Sequence, residues 1–176
     1  PDGAGELIGG SQREENLDLL LARCPTSDVI RQMALDYGVT KTSFVETDTD
    51  STCIMCALCV RACEAIGASA ISTVGRGADK KIGIPFDLPS ETCVGCFSCV
   101  RVCPTDAIAY EDRGDVREIW GRTFTMLECE ETGQPIMTAA HRDLLVAKTG
   151  LSADYFTTGP AAKKAKTAAA IRATFL

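Results

Sequence analysis

Histidine is almost missing from this chain: His141 is the one copy in 176 residues. Metal-hydrolase sites built on paired imidazoles are therefore excluded, and a Ser–His–Asp arrangement has a single residue to draw on. No apolar run approaches the ~18–20 residues that span a bilayer, so direct membrane insertion is not expected. The opening stretch, Pro1 to Gly10, lacks the basic head and apolar middle of a secretory signal. It also lacks an initiator Met, which leaves upstream residues open; a cytoplasmic setting is the expectation. A P-loop is absent too. Gly75-Arg-Gly77 begins like a nucleotide turn but has no third Gly and no strand–helix setting, so it reads as a hairpin turn. Nothing binds flavin, nicotinamide or substrate in a recognisable way, and the chain is not expected to be an enzyme by itself.

Positive charge is scarce. The net charge is −6, which argues against a nucleic-acid binder, whose affinity comes from Lys and Arg on phosphates. The signs are uneven. Before Cys53, ten acids face four bases, whereas Lys163, Lys164, Lys166 and Arg172 near the end have no acidic neighbours. Such ends suit a piece that docks into a larger assembly, or two solvated faces.

Cysteine is what the chain has in abundance, with ten copies. Eight form two copies of one pattern: Cys53-x2-Cys56-x2-Cys59-x3-Cys63 and Cys93-x2-Cys96-x2-Cys99-x3-Cys103, the latter followed by Pro104. Zinc ribbons use separated CxxC pairs rather than triplets, and thiols packed this densely make poor disulfides. A thiolate at every third position suits one corner of an iron–sulfur cubane. The spacing therefore favours two [4Fe–4S] clusters over zinc or disulfides. Between the cysteines, Ile54, Met55, Ala57, Leu58, Val60, Val94, Phe97 and Val100 supply apolar wrapping, and Gly95 allows close backbone approach. Arg61 and Arg101 occupy equivalent places, either stabilising reduced clusters or reaching to solvent.

This spacing is that of bacterial two-cluster ferredoxins, and residues 53–110 resemble that domain. The resemblance implies that each fourth cysteine serves the other cluster. One cluster then takes Cys53, Cys56, Cys59 and Cys103, and the other takes Cys93, Cys96, Cys99 and Cys63. Each motif is followed by an expected strand, Ala68–Ser72 and Asp106–Tyr110. The repeat is loop, short helix, strand, twice over, with pseudo-two-fold symmetry. The fold class expected is α+β, a ferredoxin-like core over 51–112. An N-terminal helical extension covers 1–50, and a C-terminal extension over 113–176 is expected to dock a partner.

The 29 residues between Cys63 and Cys93, containing Val74-Gly-Arg-Gly-Ala-Asp79 and Ile84-Pro-Phe-Asp-Leu88, resemble the loop in iron–sulfur subunits of larger oxidoreductases. Hydrogenases, formate dehydrogenases and the large peripheral subunit of complex I are examples. Cys63-Glu64 in place of Cys-Pro, and the flank Asn16-Leu-Asp-Leu-Leu-Leu-Ala-Arg-Cys24 with Met33 to Val39, are similar to those subunits. The resemblance implies a one-electron relay to a catalytic subunit of molybdenum or tungsten pterin, hydrogenase or flavin type. Formate dehydrogenase, hydrogenase and tungsten-dependent aldehyde or benzoyl-CoA reductase systems are the examples, and a further electron-transfer subunit is a second partner. The alternatives are a free soluble ferredoxin carrier and a structural or sensing cluster. Relatives carry an extra cluster in the N-terminal flank; only Cys24 stands here, so that cluster is not expected. Leu127 to Ile136 looks like a Cys-x2-Cys-Gly-x-Pro turn whose second Cys is Thr132, and Cys24 and Cys129 read as buried small hydrophobes rather than as ligands with His141.

Elsewhere, Ser11-Gln-Arg-Glu14 forms a capping box opening a helix with Leu17, Leu20 and Leu21 on one face. A second helix over 27–37 is expected to bury Val29, Ile30, Met33 and Tyr37 and to stop at Gly38. The 116–127 stretch reads as extended, with Trp120 and Phe124 as interface residues. Thr138 caps a helix running to Lys148 and ended by Gly150, and Pro160 opens a terminal helix with Ile171, Phe175 and Leu176 as its main apolar residues.

Overall fold

The computed structural model describes residues 17–46, 52–76 and 80–175. The capping box at 11–14, Gly77 of the expected turn and Leu176 lie outside the described residues, as does the side chain of Phe175. The chain forms two compact units, the first gathering residues from 1–62, 73–83 and 98–108, the second from 63–72, 84–97 and 109–176.

In the first unit, α1 (Leu17–Arg23) packs against α2 (Asp28–Asp36). Ser27 caps α2, its hydroxyl accepting from the Ile30 amide. The buried stripe of α2 is Ile30 and Ala34. Val29 and Met33 are exposed and Tyr37 is 77% exposed, contrary to the expected burial. The stripe Val29–Met33–Tyr37 lies one residue, about 100°, around the helix from the packed one, and both are apolar. A short hairpin pairs β1 (Ser72–Val74) with β2 (Lys81–Gly83).

The helix after the first cysteine loop, α3 (Leu58–Ile66), is nine residues long, whereas its counterpart α4 (Ser98–Arg101) has four. Pro104 follows Cys103 and carries no N–H with which to extend α4.

The second unit is built on an antiparallel meander of β3 (Tyr110–Arg113), β4 (Val116–Ile119), β5 (Arg122–Glu128) and β6 (Pro135–Thr138). The β4–β5 connection is the two-residue turn Trp120–Gly121, both with positive φ (54° and 71°). That is the turn class whose twist matches the flanking strands. The expected extended stretch is thus a tight hairpin. Alternation along β5 buries Phe124 and Met126, which corrects Phe124 from interface residue to core residue; Trp120 is half-buried. Thr138 caps α5 (Ala139–Thr149), which ends at left-handed Gly150. Pro160 opens α6 (Pro160–Phe175), as expected. No helix among the described residues is long and apolar enough to cross a membrane.

Candidate iron–sulfur site

The two cysteine loops share a backbone rhythm. Counting from the first cysteine, the third and fifth residues are left-handed in both: Met55 and Ala57 (φ 57° each), Gly95 and Phe97 (63° and 70°). Alternating left- and right-handed residues turn successive N–H groups toward one side and make a concave anion-binding nest. Three of these four are not glycine, so each loop holds a conformation that costs on the order of 1–3 kcal/mol per residue, the kind found at ligand clamps.

In the first loop, Val60 N–H donates to the Cys59 thiol, and in the second, Gly95 N–H donates to that of Cys93. The fourth cysteines repeat the device. Ala70 N–H donates to Cys63 Sγ at 3.2 Å, and Ala107 N–H donates to Cys103 Sγ at 3.3 Å. Each donor directly follows a left-handed polar residue, Ser69 (φ 47°) or Asp106 (φ 50°). These amides explain why the expected strands at 68–72 and 106–110 are displaced: β1 starts only at Ser72 and β3 at Tyr110, because the backbone before them bonds sulfur.

Burial pushes the Cys59 thiol up to about 11, with Val60 N–H opposing, and the neighbouring Cys53, Cys56 and Cys103 raise it further. Those four are the set expected for one cluster, and all fall in the first unit. Burial also raises Cys93, against the Gly95 amide; Cys63 and Cys96 raise it and Arg122 lowers it. Cys63, Cys93 and Cys96 belong to the second unit, while Cys99 lies on α4 in the first. All ten cysteines are free thiols. Among the described residues, no three His, Cys, Asp or Glu side chains gather closely enough for a single metal ion. Thiol donors, amides aimed at sulfur and an apolar wrapping together fit an iron–sulfur group, in which each thiolate binds a separate iron.

Sequence reasoning missed a set of grips on the second loop. Arg122 Nη1 lies 2.8 Å from Cys93 O, and also 2.9 Å from Ser90 O and 2.7 Å from Glu91 O. Thr138, fully buried, donates its hydroxyl to Val94 O. Arg117 Nη1 donates to Gly95 O at 3.1 Å. Its guanidinium also stands 4.3 Å from the centre of the Phe97 ring, which packs edge-on against Tyr110. The available signal was an arginine on each side of a tight turn, Arg117 three residues before Trp120 and Arg122 directly after Gly121. Gly95 is needed because a Cβ there would stand 2.7 Å from Cδ2 of Phe124. Its close approach is to the sheet.

The remaining candidates have other surroundings. Cys24 is fully buried, its thiol raised by desolvation and then by Cys53, and it donates to Cys53 O at 3.5 Å. Cys129 is buried in the β5–β6 turn, where the amide of Gly159 (3.3 Å), the Thr132 hydroxyl and the Glu131 amide draw its thiol down to about 7. Thr132 thus donates a hydrogen bond where the related turn has a second Cys. His141 is lowered by burial and by Arg117. Arg61 and Arg101 are exposed.

A 4Fe-4S dicluster domain matches residues 47–110. No curated protein matches the chain. The matched segment contains both cysteine loops and all eight motif cysteines. It supports a ferredoxin-type iron–sulfur protein with [4Fe–4S] clusters and implies electron transfer, which suggests a carrier rather than a catalytic enzyme.

Proposed function

We propose that this chain is the iron–sulfur subunit of a multisubunit oxidoreductase, holding two [4Fe–4S] clusters. One is held by Cys53, Cys56, Cys59 and Cys103, and the other by Cys93, Cys96, Cys99 and Cys63; this assignment rests on the spacing and the ferredoxin resemblance. When bound, each cluster supplies a site for one electron. The chain's residues shape the nests, direct amides onto sulfur and keep water from it. The observation that carries the two-cluster reading is the repeated backbone. Left-handed third and fifth residues and an amide on the fourth cysteine's sulfur occur in both halves. One functional loop would not need a twin with the same costly conformation.

The subunit reading is supported by apolar residues left open to solvent. Val29, Met33, Leu35 and Tyr37 line the exposed side of α2, and Phe86 is 92% exposed. A helix with a second apolar stripe suits a covering partner better than free diffusion. The partner would be a catalytic subunit of molybdenum or tungsten pterin, hydrogenase or flavin type, with a further electron-transfer subunit beside it, in the cytoplasm. Anaerobic purification from the native source under gentle conditions tests this. A stoichiometric subunit carrying tungsten, molybdenum, nickel or flavin is the expected companion. A chain that elutes alone with about eight irons, as two cubanes require, would be a free ferredoxin carrier.

A further inference from the structure

The second cysteine loop is held through three consecutive peptide carbonyls, Cys93 by Arg122, Val94 by Thr138 and Gly95 by Arg117. In a trans peptide the carbonyl and the following N–H point in opposite directions. Fixing these three carbonyls therefore fixes the amides of Val94, Gly95 and Cys96 toward the other side, and Gly95 N–H is the donor to the Cys93 thiol. The three grips come from β5, β6 and β4, all beyond residue 110, where the dicluster match ends.

The two arginines differ in net charge. Arg117 is matched by Asp112, whose carboxylate takes its Nε and Nη2 at 2.7 Å each. Arg122 makes its contacts with carbonyl oxygens, that of Cys93 at 2.8 Å among them, and with the face of Phe124, 5.1 Å from the ring centre. In the first loop the carbonyl equivalent to Cys93 O is Cys53 O, and it accepts from the thiol of Cys24 at 3.5 Å, where the second loop has a guanidinium.

We infer that Arg122 is a positioning residue that raises the reduction potential at the second loop, making it the more easily reduced of the two, with Arg117 and Thr138 holding the loop in the shape that receives this charge. The inference rests on the proposal that each loop serves a [4Fe–4S] cluster. Reduction adds one electron, supplied by the partner's redox centre or, in a test, by a dithionite-poised mediator, and changes no covalent bond. A fixed cation nearby stabilises the added negative charge, and at short range inside protein that effect survives screening by salt.

The full chain is titrated anaerobically against potential, with reduced clusters counted by electron paramagnetic resonance and iron measured in parallel. In Arg122→Gln, the reduced-to-oxidised ratio of one cluster at fixed potential is expected to fall about tenfold, a downward shift of about 59 mV for a one-electron couple. The other wave stays in place, and the wave that moves is the one that survives in Cys56→Ser. Arg122→Lys, which keeps the charge, should leave both waves near their original positions. Unmoved waves, two waves moving together, or a lysine variant shifted as far as the glutamine one would each overturn the inference. If Arg122→Gln fails to hold iron, Ser90→Asp decides, since it sets a carboxylate beside the intact arginine. The same wave should fall, and an unchanged wave refutes the role. Fewer than about eight irons in the unmodified chain would instead sink the two-cluster proposal, whereas a single wave from about eight irons would overturn the inference.

Discussion

Cys56 shows how much one residue discriminates. Its counterpart in the other loop is Cys96, and the two loops share the same left-handed positions, so a fault in one ligand need not spread to the other. Cys56→Ser is expected to lose about four of the about eight irons that two cubanes carry, with the remaining signal that of one cluster. Equal loss from both would contradict the ligand assignment. Cys129→Ser in the same assay should leave iron unchanged, because that thiol's partners are the Gly159 and Glu131 amides and the Thr132 hydroxyl. The eight motif cysteines were legible because ligand spacing is a local property of the chain. Their amide donors were not. Ala70 and Ala107 stand seven and four residues after their cysteines, and they reach sulfur only through the left-handed Ser69 and Asp106.

At the scale of elements, helix ends were read well where only neighbours in sequence matter. The cap at Thr138, the stop at Gly150 and the start at Pro160 all stand where those residues place them. The readings that failed needed knowledge of what lay opposite. Phe124 is core because Gly95 approaches it, and α2 buries one of two equally apolar stripes because α1 lies along that side. The Gly95–Phe124 approach predicts the effect of adding one methyl group. Gly95→Ala meets both a ring carbon at 2.7 Å and a φ of 63°, so a loss of about 1–3 kcal/mol by overpacking is expected on top of backbone strain. Gly114→Ala is the reference, having a similar φ of 68° and nothing within 4 Å of its Cβ. Chemical denaturation of the two variants separates crowding from strain. If both lose the same stability, the packing of loop against sheet is not what requires glycine.

For the whole molecule, the sheet beyond residue 110 grips the second cysteine loop through Arg117, Arg122 and Thr138. A chain ending after Arg113 keeps all eight motif cysteines and the whole segment that matches the dicluster domain. It lacks Arg117, Arg122 and Thr138. After reconstitution with iron and sulfide, that shortened chain is expected to hold about four irons instead of about eight, with the first loop loaded. Full and durable loading would show that the loop needs none of the three grips to hold its irons. The carbonyls that the sheet grips have a further consequence for how the chain can drift over evolutionary time. Every amino acid brings the same carbonyl oxygen, so Arg122 and Thr138 hold positions 93 and 94 without regard to the side chain there. Neutral substitutions at Val94 can accumulate without loosening the loop. The constraint falls instead on three residues that lie outside the cysteine motif and about 20 to 45 positions downstream of the carbonyls they hold.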